Sequence, residues 1–287
     1  MADALILCRI GSAQGVYLVD HGRPGYRDRG IWRGGPADPA AAAAATRLLG
    51  QEPGSCCLEL TLVGGTWHLS GRGQIALTGA DMGWRLNGEE VIRYRLLDLE
   101  GENELRGGIA RQQCRAYLGV RGQWAVPRVL DSAEAGLPGT ATIAEGFTLC
   151  VTNPQASGPH EELPPQVPDS AEPTLLVVQP APEWRLLEAR EREWLAEQVY
   201  TVDSRSDRQG IRLLPATPAE IRLPGILSSP VLPGTVQLSP AGPILLGPDA
   251  QTVGGYPRVL QLAELGAAFQ LRPGAQLRFL VGQTVRS

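Results

Sequence analysis

No lysine occurs in this chain of 287 residues; every one of its 26 basic residues is arginine. A Walker-type phosphate loop needs its lysine, and a Schiff-base enzyme needs an amine other than the chain terminus, so both are excluded. A coding bias toward arginine is the better account of the absence itself. Histidine is scarce, with His21, His68 and His160 the three in the chain. Their spacing matches no metal site, and none is expected. The five cysteines, Cys8, Cys56, Cys57, Cys114 and Cys150, form no CxxC pair. They sit in or beside apolar strand patterns, which reads as buried thiols in a reducing cytoplasm. No apolar run approaches the roughly 18 residues that cross a bilayer. The opening Met1 to Ile10 lacks a basic start and a long apolar core, and reads as a strand rather than a signal peptide. A net charge of -4 without a basic run makes nucleic acid and anionic membranes poor partners. GxSxG, HExxH and a strand-following GxGxxG are also missing.

Glycine (35) and proline (24) are abundant and aperiodic, as in folds built of short strands and tight turns. Alternating or apolar runs predict strands at Cys57–Val63, Trp67–Leu69, Gln74–Thr78, Val91–Leu97, Cys114–Val120 and Phe147–Val151. Others follow at Thr174–Val178, Ile211–Leu214, Ile244–Leu246 and Leu277–Val281. Arg23-Pro24-Gly25-Tyr26 fits a type II turn. Helices are few. Asp38 caps a helix opening at Pro39 and running through Ala40 to Leu49, with Gly50 ending it. A second is expected over Glu183–Gln198, with a Glu188–Arg192 pair, and a short third near Leu262–Phe269. The fold class is therefore mostly β, with two or three short helices. Residues 152–173 are rich in proline and acidic groups without an apolar period, and read as a linker or mobile loop. They separate an N-terminal β-rich subdomain, 1–151, from a C-terminal one, 174–287.

Four Gly-rich polar segments stand out: Asp20-His-Gly-Arg-Pro-Gly25, Thr78-Gly-Ala-Asp81, Ser206-Asp-Arg-Gln-Gly210 and Gln251-Thr-Val-Gly-Gly-Tyr-Pro257. Glycine lets backbone N–H groups approach an anion, and Arg23 and Arg208 can each clamp one, with Asp20 or Asp207 orienting the guanidinium. From spacing alone, the favoured reading of these segments is plain turns whose Asp–Arg pairs tie loop ends together.

The order of these segments is more specific than any one. Val19-Asp-His-Gly-Arg-Pro-Gly-Tyr26, Asp38-Pro39, Leu58-Glu-Leu-Thr-Leu with Gly64-Gly65, and Ala76-Leu-Thr-Gly-Ala-Asp81 come first. Arg115-Ala-Tyr-Leu-Gly-Val-Arg-Gly122, Val126-Pro127 with Val129-Leu130, Ser206–Gly210, Leu232-Pro-Gly-Thr-Val-Gln237 and Gln251–Pro257 follow. Together they resemble the KipA family, which includes the C component of bacterial 5-oxoprolinase and carries the labels biotin-dependent carboxyltransferase and allophanate hydrolase subunit 2. The resemblance implies a cyclophilin-like β-barrel architecture in two β-rich subdomains. It implies two partners, a KipI-like B component and an A component. It also implies ATP, shared with them, as the energy source for hydrolysing 5-oxoproline, a small cyclic amide, to glutamate. Phosphorylation of the amide oxygen followed by attack of water is the implied route. Asp20, Arg23, Asp207 and Arg208 are the implied catalytic group. Thr78, Gly79, Ala80, Gln251, Thr252, Gly254, Gly255 and Tyr256 are the implied substrate- and anion-binding group. Arg208→Ala is expected to lower turnover without unfolding the protein.

Several positions depart from the family pattern. Gly34-Gly-Pro-Ala37 replaces a Ser-Gly-Ala-Met run, Asp131-Ser-Ala-Glu134 a Gly-Ser-Arg-Ser-Thr run, Asp249-Ala250 an Asp-Arg, and Arg258 a lysine. An arginine and several hydroxyls are thus missing from anion-binding loops. Two alternatives stand beside the hydrolase: a KipA-like regulatory protein that antagonises a KipI-like partner, and part of a carboxyltransferase such as urea carboxylase. The last would need biotin on a separate carrier, because this chain has no lysine to hold it.

Overall fold

The computed structural model describes residues 4–10, 15–152, 173–217, 221 and 226–282. The expected linker at 152–173 lies outside them save for its two end residues, and His160 lies outside them too. The chain divides into two compact units, Met1–Arg23 with Gly34–Gln166, and Pro24–Arg33 with Val167–Ser287. Both are mostly β, as read from the sequence, and among the described residues three short α-helices accompany the strands. No helix among the described residues is long and apolar enough to cross a membrane.

The first unit contains β1 (Ala4–Ile10), β2 (Val16–Val19), α1 (Pro39–Leu48), β3 (Cys57–Thr61) and β4 (Val63–Asp81). It continues with β5 (Arg85–Leu86), β6 (Glu89–Glu90), β7 (Leu96–Ile109), β8 (Gln112–Val120), β9 (Gln123–Trp124) and β10 (Thr148–Thr152). These ten strands make one sheet, ordered β2-β3-β8-β4-β1-β10-β9, with β7 on β4 and the β5–β6 hairpin on β7. The spine is β4, 19 residues long. Two separate strands were expected here, Trp67–Leu69 and Gln74–Thr78. Instead β7 pairs with β4 without interruption from Thr66–Arg106 to Ala76–Leu96, which carries the strand through its glycines. The strand expected at Val91–Leu97 begins only at Leu96; Tyr94, at a left-handed φ of 62°, turns the chain just before it.

Leu5, Leu7, Leu58, Leu60, Trp67, Leu69, Ile75, Leu77, Leu118 and Val120 fill the main core. On the other face of the sheet α1 covers Val19, Cys57 and Tyr117 with Ala41, Ala42 and Ala45. Burial on both faces explains why β8 is apolar rather than alternating. Local signals place α1 as expected: the Asp38 carboxylate accepts from Ala41 N at 3.1 Å, Pro39 opens the helix, and Gly50 follows its end at φ 63°.

The second unit contains β11 (Thr174–Pro180), α2 (Ala189–Glu197), β12 (Tyr200–Val202), β13 (Gly210–Pro215), β14 (Ser229–Pro230) and β15 (Thr235–Ser239). It closes with β16 (Gly242–Leu246), β17 (Val253–Gly254), β18 (Arg258–Leu262), α3 (Gly266–Phe269) and β19 (Gln276–Val281). Seven strands form a closed barrel in the order β11-β18-β15-β16-β13-β12-β19, and β14 pairs with β17 as a separate ribbon. Closure leaves no unpaired barrel edge. The expected helix over 183–198 is broken: a 3-10 turn spans Pro182–Leu186, and α2 starts only after Glu188, which is extended at ψ 162°. Buried Leu187 fills the break. Glu188 pairs at 3.0 Å with Arg190 rather than with Arg192. The third helix is also shorter than expected, because Leu262 still belongs to β18.

Candidate functional site

Two groups of polar side chains contain the residues singled out from the sequence, one in each unit. In the first unit Asp20 follows β2 and is buried. Its Oδ1 accepts from Gly22 N at 2.9 Å and from the Ser132 hydroxyl at 2.7 Å. Its Oδ2 accepts from Ala133 N at 2.8 Å and lies 3.4 Å from Arg128 Nη1. Arg23 is fully buried, and its Nε and Nη2 donate to the carbonyls of Val129 and Glu134. Asp20 and Arg23 therefore do not orient one another; both grip the turn 128–134. That turn carries Leu130 at φ 53° and Asp131 at φ 63°. Asp131 tolerates the left-handed region, whereas a leucine there is strained. The Glu134 carboxylate in turn accepts from Gly35 N at 2.8 Å, in the space that a side chain at Gly34 would fill. Cys56 lies beside this cluster. Burial, reinforced by Asp20, pushes its thiol up to about 11, so it stays protonated at neutral pH.

Thr78, Gly79 and Ala80 lie on β4 and turn their polar groups inward. The Thr78 hydroxyl donates to Ala41 O of α1 at 2.7 Å, Gly79 N donates to the Tyr94 hydroxyl at 3.1 Å, and Ala80 is fully buried. Gly79 sits at φ 73° beside a register shift between β4 and β8. Its glycine is thus required by the bulge. Under α1, Glu59 accepts from Ala37 N and from the Tyr117 hydroxyl, both at 2.9 Å, with Arg115 at 3.5 Å. Burial raises the Tyr117 phenol well above its usual range, which keeps it a neutral donor.

In the second unit Asp207 is exposed and closes its own turn, accepting from Gln209 N at 2.8 Å and Gly210 N at 3.2 Å. Arg208 is buried and turns to Asp249, not Asp207, donating from Nε at 2.7 Å and Nη2 at 2.9 Å. This bidentate pair anchors the start of the loop that carries Gln251, Thr252, Gly254, Gly255 and Tyr256. Further along, Gln251 Nε2 donates to buried Gln237, whose own amide donates to Tyr256 O at 3.0 Å. Thr252 O accepts from Val231 N at 3.1 Å, and Gly254 pairs with Ser229. A side chain at Gly254 would collide with the Gln237 amide. Tyr256 and Gly255 remain exposed. Arg27 reaches the same loop, donating to Gln251 O at 3.0 Å and to Val231 O. Arg258 is held by Glu183 through Nε and Nη2, both at 2.7 Å, and its hydrogen bonds hold the Glu183 carboxyl below the usual range.

The structure thus brings Arg208 and the 251–256 loop together and leaves Asp207 apart as a turn former. The sequence reading missed Asp249, Gln237, Ser132, Glu134 and Arg27. Asp249 and Gln237 stand at the edges of recognised segments, but nothing local marks them as partners. Among the described residues, no three His, Cys, Asp or Glu side chains are placed to hold a metal ion.

Residues 29–281 match the family described as carboxyltransferase domain, subdomain A and B. The chain belongs to this family. It is 29% identical over 268 residues to the 5-oxoprolinase C subunit of Haemophilus influenzae, covering 91% of this chain and 86% of that protein. To the 5-oxoprolinase C subunit of Escherichia coli it is 30% identical over 256 residues, covering 87% and 83%. The urea amidolyase of Saccharomyces cerevisiae is 25% identical over 292 residues, which are 90% of this chain but 16% of that protein. Among solved structures, TTHA0988 superimposes with a TM-score of 0.85 at 26% identity, over 98% of this chain. The carboxyltransferase-domain chain accounts for 56% of that protein's chain. The family match takes in Arg208, Asp249 and the 251–256 loop, while Asp20 and Arg23 precede its first residue.

Proposed function

We propose that this chain is the C component of an ATP-dependent 5-oxoprolinase-type enzyme, acting with a KipI-like B component and an A component on a small cyclic amide. The observation that carries this is the likeness to two 5-oxoprolinase C subunits along about nine-tenths of the chain. The site chemistry is compatible with it. ATP would supply a phosphoryl group that turns the unreactive ring amide oxygen into a leaving group. With no lysine present, its phosphates would meet arginine side chains and backbone N–H groups, or the partner proteins. This chain's own part is to hold rigid loops: the Arg208–Asp249 pair and the Gln237–Gln251 contact fix the 251–256 loop, and Asp20 with Arg23 fixes the 128–134 turn. Such fixed donors stabilise developing negative charge without reorganising.

The test is reconstitution. The purified chain alone should not consume ATP with 5-oxoproline, and the mixture with its A and B partners should. A reconstituted mixture without oxoproline-dependent ATP hydrolysis defeats the proposal.

The family description and the likeness to urea amidolyase favour a second reading, transfer of a carboxyl group from carboxybiotin. Biotin would have to arrive on another protein, since the chain lacks lysine. Urea carboxylation that appears only when a biotinylated carrier is added would establish it instead.

A further inference from the structure

The five cysteines read from the sequence as buried thiols, and the structure divides them. Cys56, Cys57 and Cys114 are buried, whereas Cys8 on β1 and Cys150 on β10 are partly exposed. Burial pushes the Cys57 thiol well above its usual range, as it does Cys56, so neither supplies a thiolate at neutral pH. Cys8 and Cys150 share one face of the first unit's sheet: Cys150 stands opposite Ile6, and residues two apart in a strand point the same way. That face is open, since Ile6 and Ile10, on either side of Cys8, are 40% and 41% exposed. The two thiols differ in what stands beside them. On β4 the residue directly opposite Cys8 is His68. Opposite residues on antiparallel strands hold their Cβ atoms about 4.5–5.5 Å apart. No hydrogen bond joins the two at rest, but at that spacing a change of rotamer brings a thiol within reach of an imidazole. The ring is held from its other side: Nε2 lies 3.0 Å from a Glu102 oxygen on β7, and the Ser70 hydroxyl donates to the second Glu102 oxygen at 2.7 Å. An Nε2–H given to Glu102 leaves Nδ1 as the ring's acceptor. Glu104, opposite His68 on β7, is paired with Arg106 at 2.7 Å. The residue opposite Cys150 is apolar Ile6, which takes no proton.

A thiol beside a base that a carboxylate orients is the arrangement that activates a sulfur nucleophile. We propose that Cys8 is a modification site, a thiol that exchanges with low-molecular-weight disulfides such as oxidised glutathione, with His68 as its base and Glu102 as the positioning residue. His68 Nδ1 takes the Cys8 proton, and the thiolate attacks one sulfur of the disulfide. A bond forms between Cys8 and that sulfur as the original sulfur–sulfur bond breaks. The other half leaves as a thiolate and collects the proton from His68. Cys8 is thereby oxidised to a mixed disulfide and one small thiol is released. Cys150, without a base, reacts as an ordinary exposed thiol. The site lies wholly within the first unit and does not depend on the 5-oxoprolinase proposal.

The experiment exposes the reduced full chain to excess oxidised glutathione at about pH 7, near the ordinary pKa of an imidazole, and follows the adduct at each cysteine by peptide mass spectrometry. Cys8 should be modified first, about tenfold faster than Cys150. His68→Asn, at an exposed position, should slow the reaction at Cys8 about tenfold and leave Cys150 unchanged. At about pH 10, where a thiol ionises unaided, the parent and His68→Asn rates at Cys8 should converge, which a merely structural role for the ring would not produce. Glu102→Gln, on the neighbouring strand, is the second variant and should slow Cys8 about threefold at pH 7 by releasing the ring. Circular dichroism checks that both variants keep the fold. Equal rates at Cys8 and Cys150, first modification of any other cysteine, or an unchanged Cys8 rate in the folded variants overturns the inference. So does a chain in which no cysteine takes up glutathione.

Discussion

Arg208→Ala removes one half of a pair whose side chains are 4% and 22% exposed. The guanidinium donates twice to one carboxylate, at 2.7 and 2.9 Å. Leaving a buried ionic partner alone costs about 3–5 kcal/mol. Water reaches Asp249 in part, so the lower end applies, about 3 kcal/mol. At about 3 °C per kcal/mol for a domain of this size, the midpoint of thermal unfolding should fall by roughly 9 °C. The structure thus shifts the expectation for Arg208→Ala: any lost turnover is accompanied by lost stability, because the arginine acts through the loop it anchors. Urea unfolding of Arg208→Ala, Asp249→Asn and the double variant isolates the pair energy, expected at about 2 kcal/mol. A coupling below about 0.5 kcal/mol refutes the anchor. So does an Arg208→Ala variant as stable as the parent that has lost only turnover.

Three further substitutions probe other parts. Gly79→Ala places a methyl group against the Arg115 carbonyl at a φ of 73°, and should cost about 2–4 kcal/mol in urea unfolding; a change under about 1 kcal/mol would mean the bulge is soft. Leu130→Asn puts a residue suited to φ 53° at the tip of the 128–134 turn, and should stabilise the protein by about 0.5–1 kcal/mol; destabilisation would show that the leucine's packing outweighs its strain. Glu183 titrates below its ordinary value of 4.5 because Arg258 donates to it. Its folded pKa is depressed, so its stabilising contribution is whole above 4.5 and is lost as pH falls through the folded value. Glu183→Gln should therefore lower stability at neutral pH and flatten the acid limb of stability against pH. Parallel profiles for the two proteins would exclude the pair as a contributor.

Local chemistry made much of this protein legible. Asp38, Pro39, the alanine run and Gly50 specify α1 within a dozen neighbouring residues, and the structure places it there. Short apolar runs ending at glycine or proline gave most strands, and the ordered Gly-rich segments gave the family. Errors arose where a distant partner overrode a local signal. Trp67–Leu69 and Gln74–Thr78 read as two strands, yet β7 pairs with β4 through the stretch between them. Glu183–Gln198 reads as one helix, yet Leu187 leaves the helical path for the core.

What the sequence determined by itself is the set of backbone freedoms and short-range preferences: where the chain turns, where it caps a helix, which runs want to be buried, and which loops are rich in glycine and arginine. Only the tertiary structure decided whom each arginine meets. Asp20 and Arg23 are close neighbours in the chain, yet they meet through a turn more than a hundred residues away. Arg208 passes over its neighbour Asp207 for Asp249, 41 residues on, and Arg27 grips carbonyls 204 and 224 residues distant. A guanidinium is a long donor with several rotatable bonds. The acceptors within its reach are set by which strands lie side by side, and strand order is a property of the whole sheet rather than of any stretch of sequence.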